Sequence, residues 1–368
     1  MRRLAFVQRI SCAKSDSKAR HELASKMSEL RIQTHVDPGS WNASLCACHG
    51  TIFHTAEWGR HVQAEQPGAR PEFLTLLDSD GSIAGQALLF HSKSSRNLAA
   101  PFTGRRWLDA LPAMKETSVA TFSRFLKVIE SHARGSGDVT FQVGSFASPA
   151  SKTVLSSLGF SISPRLEFEL DLTPDEKTLW DCMEYKRRKN IKKATRLGVE
   201  VRELPVDEGV SHLRRLQATS FVRVVQRGGP PLTKLDSNRA DPVAVLTNAG
   251  IGRIVGGFVG GVCVSASFFT TFNGLAYHTL SGHDAKALET QAPTFVLWAM
   301  ALRFKAEGIQ RLNFGGCHID ALDESSPEHG VYVYKKAFGG AVLECGSGEK
   351  ILRPAVWRAA NLLRVAMR

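Results

Sequence analysis

Two stretches of the chain carry the same order of apolar and polar positions. Gly81-Ser-Ile-Ala-Gly-Gln-Ala-Leu-Leu-Phe90 lies over Gly260-Gly-Val-Cys-Val-Ser-Ala-Ser-Phe-Phe269 at an offset of 179 residues. Each follows an apolar run (Phe73 to Leu77; Val243 to Leu246) and a turn (Asp78 to Gly81; Val259 to Gly261), so each predicts a β-hairpin. Further on, Gly137-Asp-Val-Thr-Phe-Gln-Val-Gly144 lies over Gly308-Ile-Gln-Arg-Leu-Asn-Phe-Gly315 at an offset of 171. A helical stripe precedes both segments: Phe122, Phe125, Leu126 and Ile129 in the first, and Phe295, Trp298, Ala299, Leu302 and Ala306 in the second. Gly308 stops the second helix. Short helices follow at Val154 to Phe160 and Tyr332 to Gly339. Three matches in one order predict a duplicated unit of hairpin, strand, helix, strand, helix and strand.

Between the copies the pattern changes from apolar to basic. Residues 186–202 hold eight cations (Lys186, Arg187, Arg188, Lys189, Lys192, Lys193, Arg196, Arg202) and one acid, Glu200. Ile191, Ala194 and Leu197 at three-residue spacing lay this run on the body as a helix, with Gly198 as its stop. The charge of the whole chain is +12 over 368 residues, so most of the excess sits in this junction. A positive excess favours phosphate-bearing or anionic-surface partners. Hydrophobic residues at 43% and charged residues at 22% are ordinary for a folded protein of two domains.

The resulting division is a basic extension over 1–35, with Met27 as an alternative start, then a first domain over 36–172. The basic junction spans 173–200, a second and catalytic domain 201–346, and a C-terminal amphipathic helix 347–368. That last helix starts at Pro354 and sets Trp357, Leu362, Leu363 and Val365 beside Arg358, Arg364 and Arg368. It can rest on an anionic membrane surface or dock on the body of the protein. No apolar run of about 18 residues is present to span a bilayer, and the first thirty residues lack a secretory core. Seven scattered cysteines argue against a disulfide framework and for a reducing cytoplasm, the inner membrane face included. Cys46-Ala-Cys-His49, with His54 and His61 following, fits neither haem attachment nor zinc spacing, so no metal is expected.

Several of these segments together resemble a known family. Trp58 in an early helix, Ser156-Ser-Leu-Gly-Phe160 leading to Phe168-Glu-Leu-Asp-Leu172, the Lys186-Arg-Arg-x-Asn-Ile-x-Lys-Ala run and the closing Tyr334-Lys-x-x-Phe-Gly339 are similar to the FemAB/FemX group. This group comprises peptidoglycan-bridge aminoacyltransferases within the GNAT acyltransferase superfamily. The resemblance covers about residues 50 to 345. It implies an α/β fold of two tandem GNAT-like domains with mixed sheets, the acceptor lying between them. It also implies amide formation by direct attack of an amine on an activated acyl donor, aminoacyl-tRNA or acyl-CoA, with an envelope, glycan or peptide precursor as acceptor. The chain departs from acyl-CoA enzymes at Gly282 to Pro293, which has no glycine pair for a pyrophosphate, and Pro293 lacks an N–H.

By position in the motif, Lys335 is the candidate to stabilise the oxyanion or the leaving oxygen, with Tyr332 and Tyr334 as hydroxyl donors, one of them packed away. Lys186, Arg187, Arg188, Asn190 and Lys193, joined by Arg223 and Arg227, form the expected footprint for tRNA. Strand alternation sets Tyr277, Thr279 and Ser281 on the donor side and His278 opposite. Asn313, Gly315 and Gly316 end a strand where backbone approaches ligand. The loop from Cys317 to His329 offers Asp320, Asp323, Glu324 and His329 as bases. The competing function is a non-catalytic tandem-GNAT protein binding RNA or an anionic membrane surface. A monomer is expected in either case.

Overall fold

The computed structural model describes residues 29–92, 104–226 and 241–366. Its first half runs β1 Leu30–Gln33, α1 Pro38–Ala47, α2 Ala56–Glu65, β2 Arg70–Leu77, β3 Ile83–Ser92, β4 Arg105–Leu108, β5 Ala113–Met114, α3 Val119–Gly135, β6 Thr140–Val143, α4 Ser151–Ser157 and β7 Ser161–Asp171. Helices α5 Glu176–Cys182 and α6 Tyr185–Arg196 cross to the second half. There follow β8 Glu200–Glu203, α7 Val206–Gln226, α8 Pro242–Asn248, β9 Gly252–Val259, β10 Val262–Phe272 and β11 Leu275–His283. The chain ends through α9 Ala285–Thr290, α10 Ala292–Ala306, β12 Arg311–His318, α11 His329–Lys336, β13 Ala341–Ile351 and α12 Pro354–Ala366.

The predicted duplication is visible in the sheet. One thirteen-stranded sheet runs β1-β2-β3-β4-β6-β13-β7-β12-β11-β10-β9-β8, with β5 beside β3. Matching β1 with β8, β2 with β9, β3 with β10, β4 with β11, β6 with β12 and β13 with β7 makes this order read the same from both ends. Each half has one parallel pair, β4 with β6 and β11 with β12. The halves exchange their last strands: β7 pairs with β12 and β13, and β13 pairs with β6 and β7. A cut of the sequence at 172 therefore follows the repeat but crosses the hydrogen-bond ladder. The alternating antiparallel links across β6, β13, β7 and β12 also point the two parallel pairs in opposite directions, so their C-terminal ends converge on the middle of the sheet.

Local chemistry explains the elements. Side-chain caps start the helices: Asp37 accepts from Ser40 N–H, Ser118 from Thr121, Asp175 from Thr178 and Asp284 from Ala287. The β9–β10 turn puts Gly260 at φ 56° and Gly261 at φ 79°, as a two-residue hairpin with both central residues left-handed requires. One predicted strand is wrong. Val243–Leu246 is helical, because Asp241 caps Val243 and Pro242 occupies the first turn. The first strand of that hairpin is instead Gly252–Val259.

Three buried clusters hold the layers. Leu74, Phe125, Ile129, Phe141 and Val154 pack the first half. Phe168, Phe269, Val296, Phe304, Phe314 and Phe338 pack the second. Phe53, Trp58, Leu213, Phe258, Phe268 and Tyr277 weld the two together. At about 25 cal/mol per Å² of apolar surface, burying each such Phe or Leu is worth roughly 1.5–3 kcal/mol before chain entropy is set against it.

Candidate functional site

The second half's parallel pair opens. β11 and β12 are paired only from Leu275 with Arg311 to Tyr277 with Asn313. Beyond that, β11 continues beside β10 and β12 beside β7, with a register break between Asn313 and Gly316. Gly315 sits at the fork with φ 71°, and a Cβ there would lie 3.3 Å from the His278 carbonyl and 3.5 Å from Lys335 Nζ. Glycine is therefore needed for the left-handed turn, and a methyl would press on the His278 carbonyl while only touching Lys335.

Glu167 on β7 closes the base of the fork. Its carboxylate is fully buried and accepts from Tyr277 Oη at 2.9 Å, Asn313 Nδ2 at 2.9 Å and the Ala147 N–H at 3.1 Å. Arg165 Nη2 lies 3.5 Å away. Burial pushes the Glu167 carboxyl up, against the pull of Arg165, Asn313 and Tyr277. Burial and the carboxylate beside it hold the Tyr277 hydroxyl well above its ordinary range. The Asn313 amide is fixed at both ends, since its Oδ1 accepts from the Gly315 N–H at 2.7 Å.

Lys335 reaches this fork from α11, its Nζ donating to the Gly316 carbonyl at 3.0 Å. Burial lowers its pKa to about 8. The ammonium is thus mostly charged at neutral pH yet able to give up a proton. Beside it lies a cleft of about 270 Å³ lined by Ser163, Arg165, Gly316, Cys317, His318, Glu328 and Ser347. Arg165 stacks over the Phe146 ring at 5.0 Å. Phe146 and Tyr277 both pack on Phe53, which packs in turn on Trp58. Trp58 Nε1 donates to Asp109 Oδ2 at 2.7 Å, and burial raises the Asp109 carboxyl to about 6. A continuous aromatic wall therefore joins the fork to a carboxylate of the first half.

Of the expected site residues, Lys335, Tyr277, Asn313, Gly315 and Gly316 meet at the fork. The other expected site residues are distributed differently. Tyr332 is half-buried, its ring 5.9 Å from Phe168. Tyr334 is the tyrosine packed away: its hydroxyl is sealed without a hydrogen-bond acceptor beneath Arg187. Arg187 is no surface ligand. It is 7% exposed, stacks on Tyr334 at 4.2 Å and Phe338 at 5.1 Å, and donates to the Tyr334 carbonyl at 2.9 Å and to Thr294 Oγ1 at 3.3 Å. The reason is helical spacing: Arg187, Ile191 and Ala194 form the buried stripe of α6.

Arg188 donates to the carbonyls of Trp180 and Asp181, ending α5. Lys186 and Lys193 are exposed, while Asn190 is half-buried. Arg223 is tied to the His283 carbonyl at 2.7 Å and to Ser220. Arg227 lies outside the described residues. Ser281 does not share the face of Tyr277, because Phe268 and Phe269 pair with Leu280 and His278 and leave Thr279 as an extra residue that breaks the alternation. His278 stacks on Phe269, and burial beside Lys335 lowers its pKa to about 3. His54 Nε2 and His61 Nδ1 lie 2.7 and 2.8 Å from the carbonyls of Leu111 and Pro242, engaged by backbone. His318, Asp320 and Glu328 share the rim, where Glu328 accepts from the His318 N–H at 2.9 Å. Sequence reasoning missed Glu167, Arg165 and Asp109. The first two sit in the Arg-x-Glu-x-Glu alternation of Arg165 to Glu169, where inward charge on a central strand was the available signal.

The FemAB family matches residues 153–227 and 259–364, the junction helix and most of the second half included. The structure of FemX is similar at TM-score 0.70 and 12% identity, covering 89% of this chain and 99% of that one. The C-terminal domain of a putative lysylphosphatidylglycerol synthetase from Agrobacterium fabrum is similar at TM-score 0.51 and 13% identity, covering 89% of this chain and 96% of that one. L-PGS from Bacillus licheniformis follows at TM-score 0.50 and 13% identity, covering 83% and 91%. No curated protein sequence matches. The chain shares the fold of FemX. The two matched segments are similar to the FemAB family, whose members are aminoacyl or acyl transferases.

Proposed function

We propose that the chain transfers an aminoacyl group from aminoacyl-tRNA to an amine of a cell-envelope precursor. The single observation that carries this reading is Lys335, held by the Gly316 carbonyl at the mouth of the β11–β12 fork with a pKa of about 8. The acceptor amine attacks the ester carbon and the C–N bond forms. The ester C–O bond then breaks, and the ribose oxygen leaves with a proton. The Lys335 ammonium faces the negative charge of the tetrahedral stage and has the acidity to protonate the departing oxygen. Glu167 touches no reactant; it positions Tyr277 and Asn313 so that the fork stays open. Asp109 lies behind Phe53 and Trp58 and takes no part in the step; the proton released by the attacking nitrogen restores the Lys335 ammonium.

Two features favour tRNA over coenzyme A. The start of α10, where acyl-CoA enzymes seat a pyrophosphate, begins Ala292-Pro293 and has no side-chain cap, and the Arg187 guanidinium already fills the space beside Thr294. In addition, Lys186, Lys189, Lys192, Lys193 and Arg196 leave α6 exposed and positive. The test is turnover by the purified chain with radiolabelled aminoacyl-tRNA or labelled acetyl-CoA, offered with an amine-bearing muropeptide precursor. Amide product from the tRNA donor that disappears in Lys335→Met is expected. Product from acetyl-CoA alone, or transfer undiminished in Lys335→Met, overturns the reading.

A further inference from the structure

Helix α12 leaves an apolar ridge facing outward. It follows β13 through Arg353, and its turn is held by Trp357 N–H donating to the Arg353 carbonyl. The body takes only one side of it, where Ala360 is buried at 2% exposure. Ala355, Arg358, Ala359, Leu362 and Val365 lie on the opposite side, at the spacing of neighbours on one helical face. Leu362 is 72% exposed and Val365 74%, with Leu363 at 46% on the flank. From 353 to 368 the sequence carries four arginines (Arg353, Arg358, Arg364, Arg368) and no acidic residue.

We infer that α12 seats the protein on an anionic membrane surface, with Leu362 and Val365 entering the headgroup boundary and Arg358 meeting lipid phosphates. The charge pattern selects this occupant. Two copies packed about a twofold axis through this ridge set Arg358 against Arg358 with no carboxylate between them, which disfavours a dimer. Residues 1–28 carry seven cations against two acids, so they too repel the ridge. An anionic leaflet offers what both lack, an apolar layer under a sheet of negative charge. The placement also suits the site. β12 and β13 run in the same direction, and β13 extends six residues past Cys345, the partner of Arg165 that lines the cleft. Ser347 of β13 lines the same cleft, so the end of the strand lies only roughly 13 Å beyond it, with the helix following on the edge toward which β12 points. A headgroup-bound acceptor is within reach from there, whereas the docking itself is independent of the reaction.

The experiment is co-sedimentation of the full chain with vesicles of phosphatidylcholine alone or of equal parts phosphatidylcholine and phosphatidylglycerol, at low and physiological salt. Binding is expected to the phosphatidylglycerol vesicles, weakened by salt, and reduced about tenfold in the double variant Leu362→Glu/Val365→Glu with circular dichroism unchanged. Arg358→Glu is the second variant, expected to lose binding in the same way should the double variant misfold. Because the exposed cations of α6 remain in both variants, binding through that helix instead shows as no loss and overturns the inference. So does the absence of binding to either vesicle, or a wild-type dimer in light scattering that the double variant converts to monomer.

Discussion

The two parallel strand pairs descend from one pattern, yet one is closed and the other is open. In the first half β4 and β6 pair from Arg105 with Thr140 to Leu108 with Val143, and the backbone goes on zipping: Gly144 N–H donates to the Leu108 carbonyl at 2.6 Å and Phe146 N–H to Asp109 at 3.2 Å. In the second half the pairing stops after Tyr277 and Asn313, and Lys335 approaches the gap. What differs is the end of each strand. β4 is four residues long and turns away at Asp109, while β11 runs nine residues beside β10 and so diverges from β12. Duplication supplied two forks, and only the one whose outer strand stayed long keeps room for a ligand.

The largest way to test that contrast is chemical. Lys335→Met is expected to lower kcat/KM for aminoacyl transfer by about a hundred- to a thousandfold, the loss typical of one oxyanion donor, with the melting temperature kept or raised because a buried charge is removed. Its pH profile sharpens the test. With a pKa of about 8 the required cation is lost as pH rises through that value, so kcat/KM falls on the alkaline side. Lys335→Arg, charged at all working pH values, is expected to shift that limb upward. A profile indifferent to both changes places the proton donor elsewhere.

Stability tests separate the closed fork from the open one. A Cβ at Gly144 would stand 2.3 Å from the Asp109 carbonyl oxygen, a backbone atom that cannot swing aside. Gly144→Ala is therefore expected to cost about 3 kcal/mol of stability. At Gly315 the nearest atom is 3.3 Å away, so Gly315→Ala pays chiefly for its left-handed backbone, about 1–2 kcal/mol. It should also reduce activity modestly, since the methyl presses on the His278 carbonyl at the fork. Denaturant midpoints at constant slope read both, and equal losses would contradict the view that only one fork is zipped.

How much of this the sequence disclosed depends on range. The hairpins, the basic helix and the Lys335 motif were legible because periodicity and turn chemistry are local. Arg187 was misplaced because a charge run alone does not say which side of a helix is buried; the apolar residues at 191 and 194 already carried the stripe to which it belongs. Val243–Leu246 was misread because its apolar content outweighed the Asp-Pro start. The strand exchange and the meeting of Glu167 with Tyr277, 110 residues apart, depend on distant partners, and the Thr279 bulge on the register of β10 against β11; no local pattern reports either.

Asp109 gives a smaller, pH-dependent difference between the halves. Its native pKa of about 6 stands above the ordinary 3.8, so the native chain holds a proton that the unfolded chain has released. Between those values stability declines as pH rises, and above about 6 the full penalty is present. Asp109→Asn is expected to flatten this slope in urea titrations across the acid range. An unchanged slope would mean that the carboxylate is solvated rather than buried.

The smallest expected effect lies on α6, where exposure decides it. Lys186 is exposed and Arg187 is buried, although the two are adjacent. Lys186→Ala should weaken tRNA binding by no more than about fivefold, the worth of one surface ion pair, and lower the slope of log Kd against log salt by about 1. Acyl specificity and kcat should not move, since the side chain stays in solvent while the fork is built by β11, β12 and α11. Arg187→Ala, by contrast, strips the cation from Tyr334 and Phe338 and leaves the Tyr334 carbonyl and the Thr294 hydroxyl without their donor. It is expected to destabilise the fold with little change in the salt slope measured at a temperature where the variant remains folded. If Arg187→Ala lowers the slope and Lys186→Ala does not, the nucleic acid reaches the buried side of the helix and the footprint must be redrawn around α10.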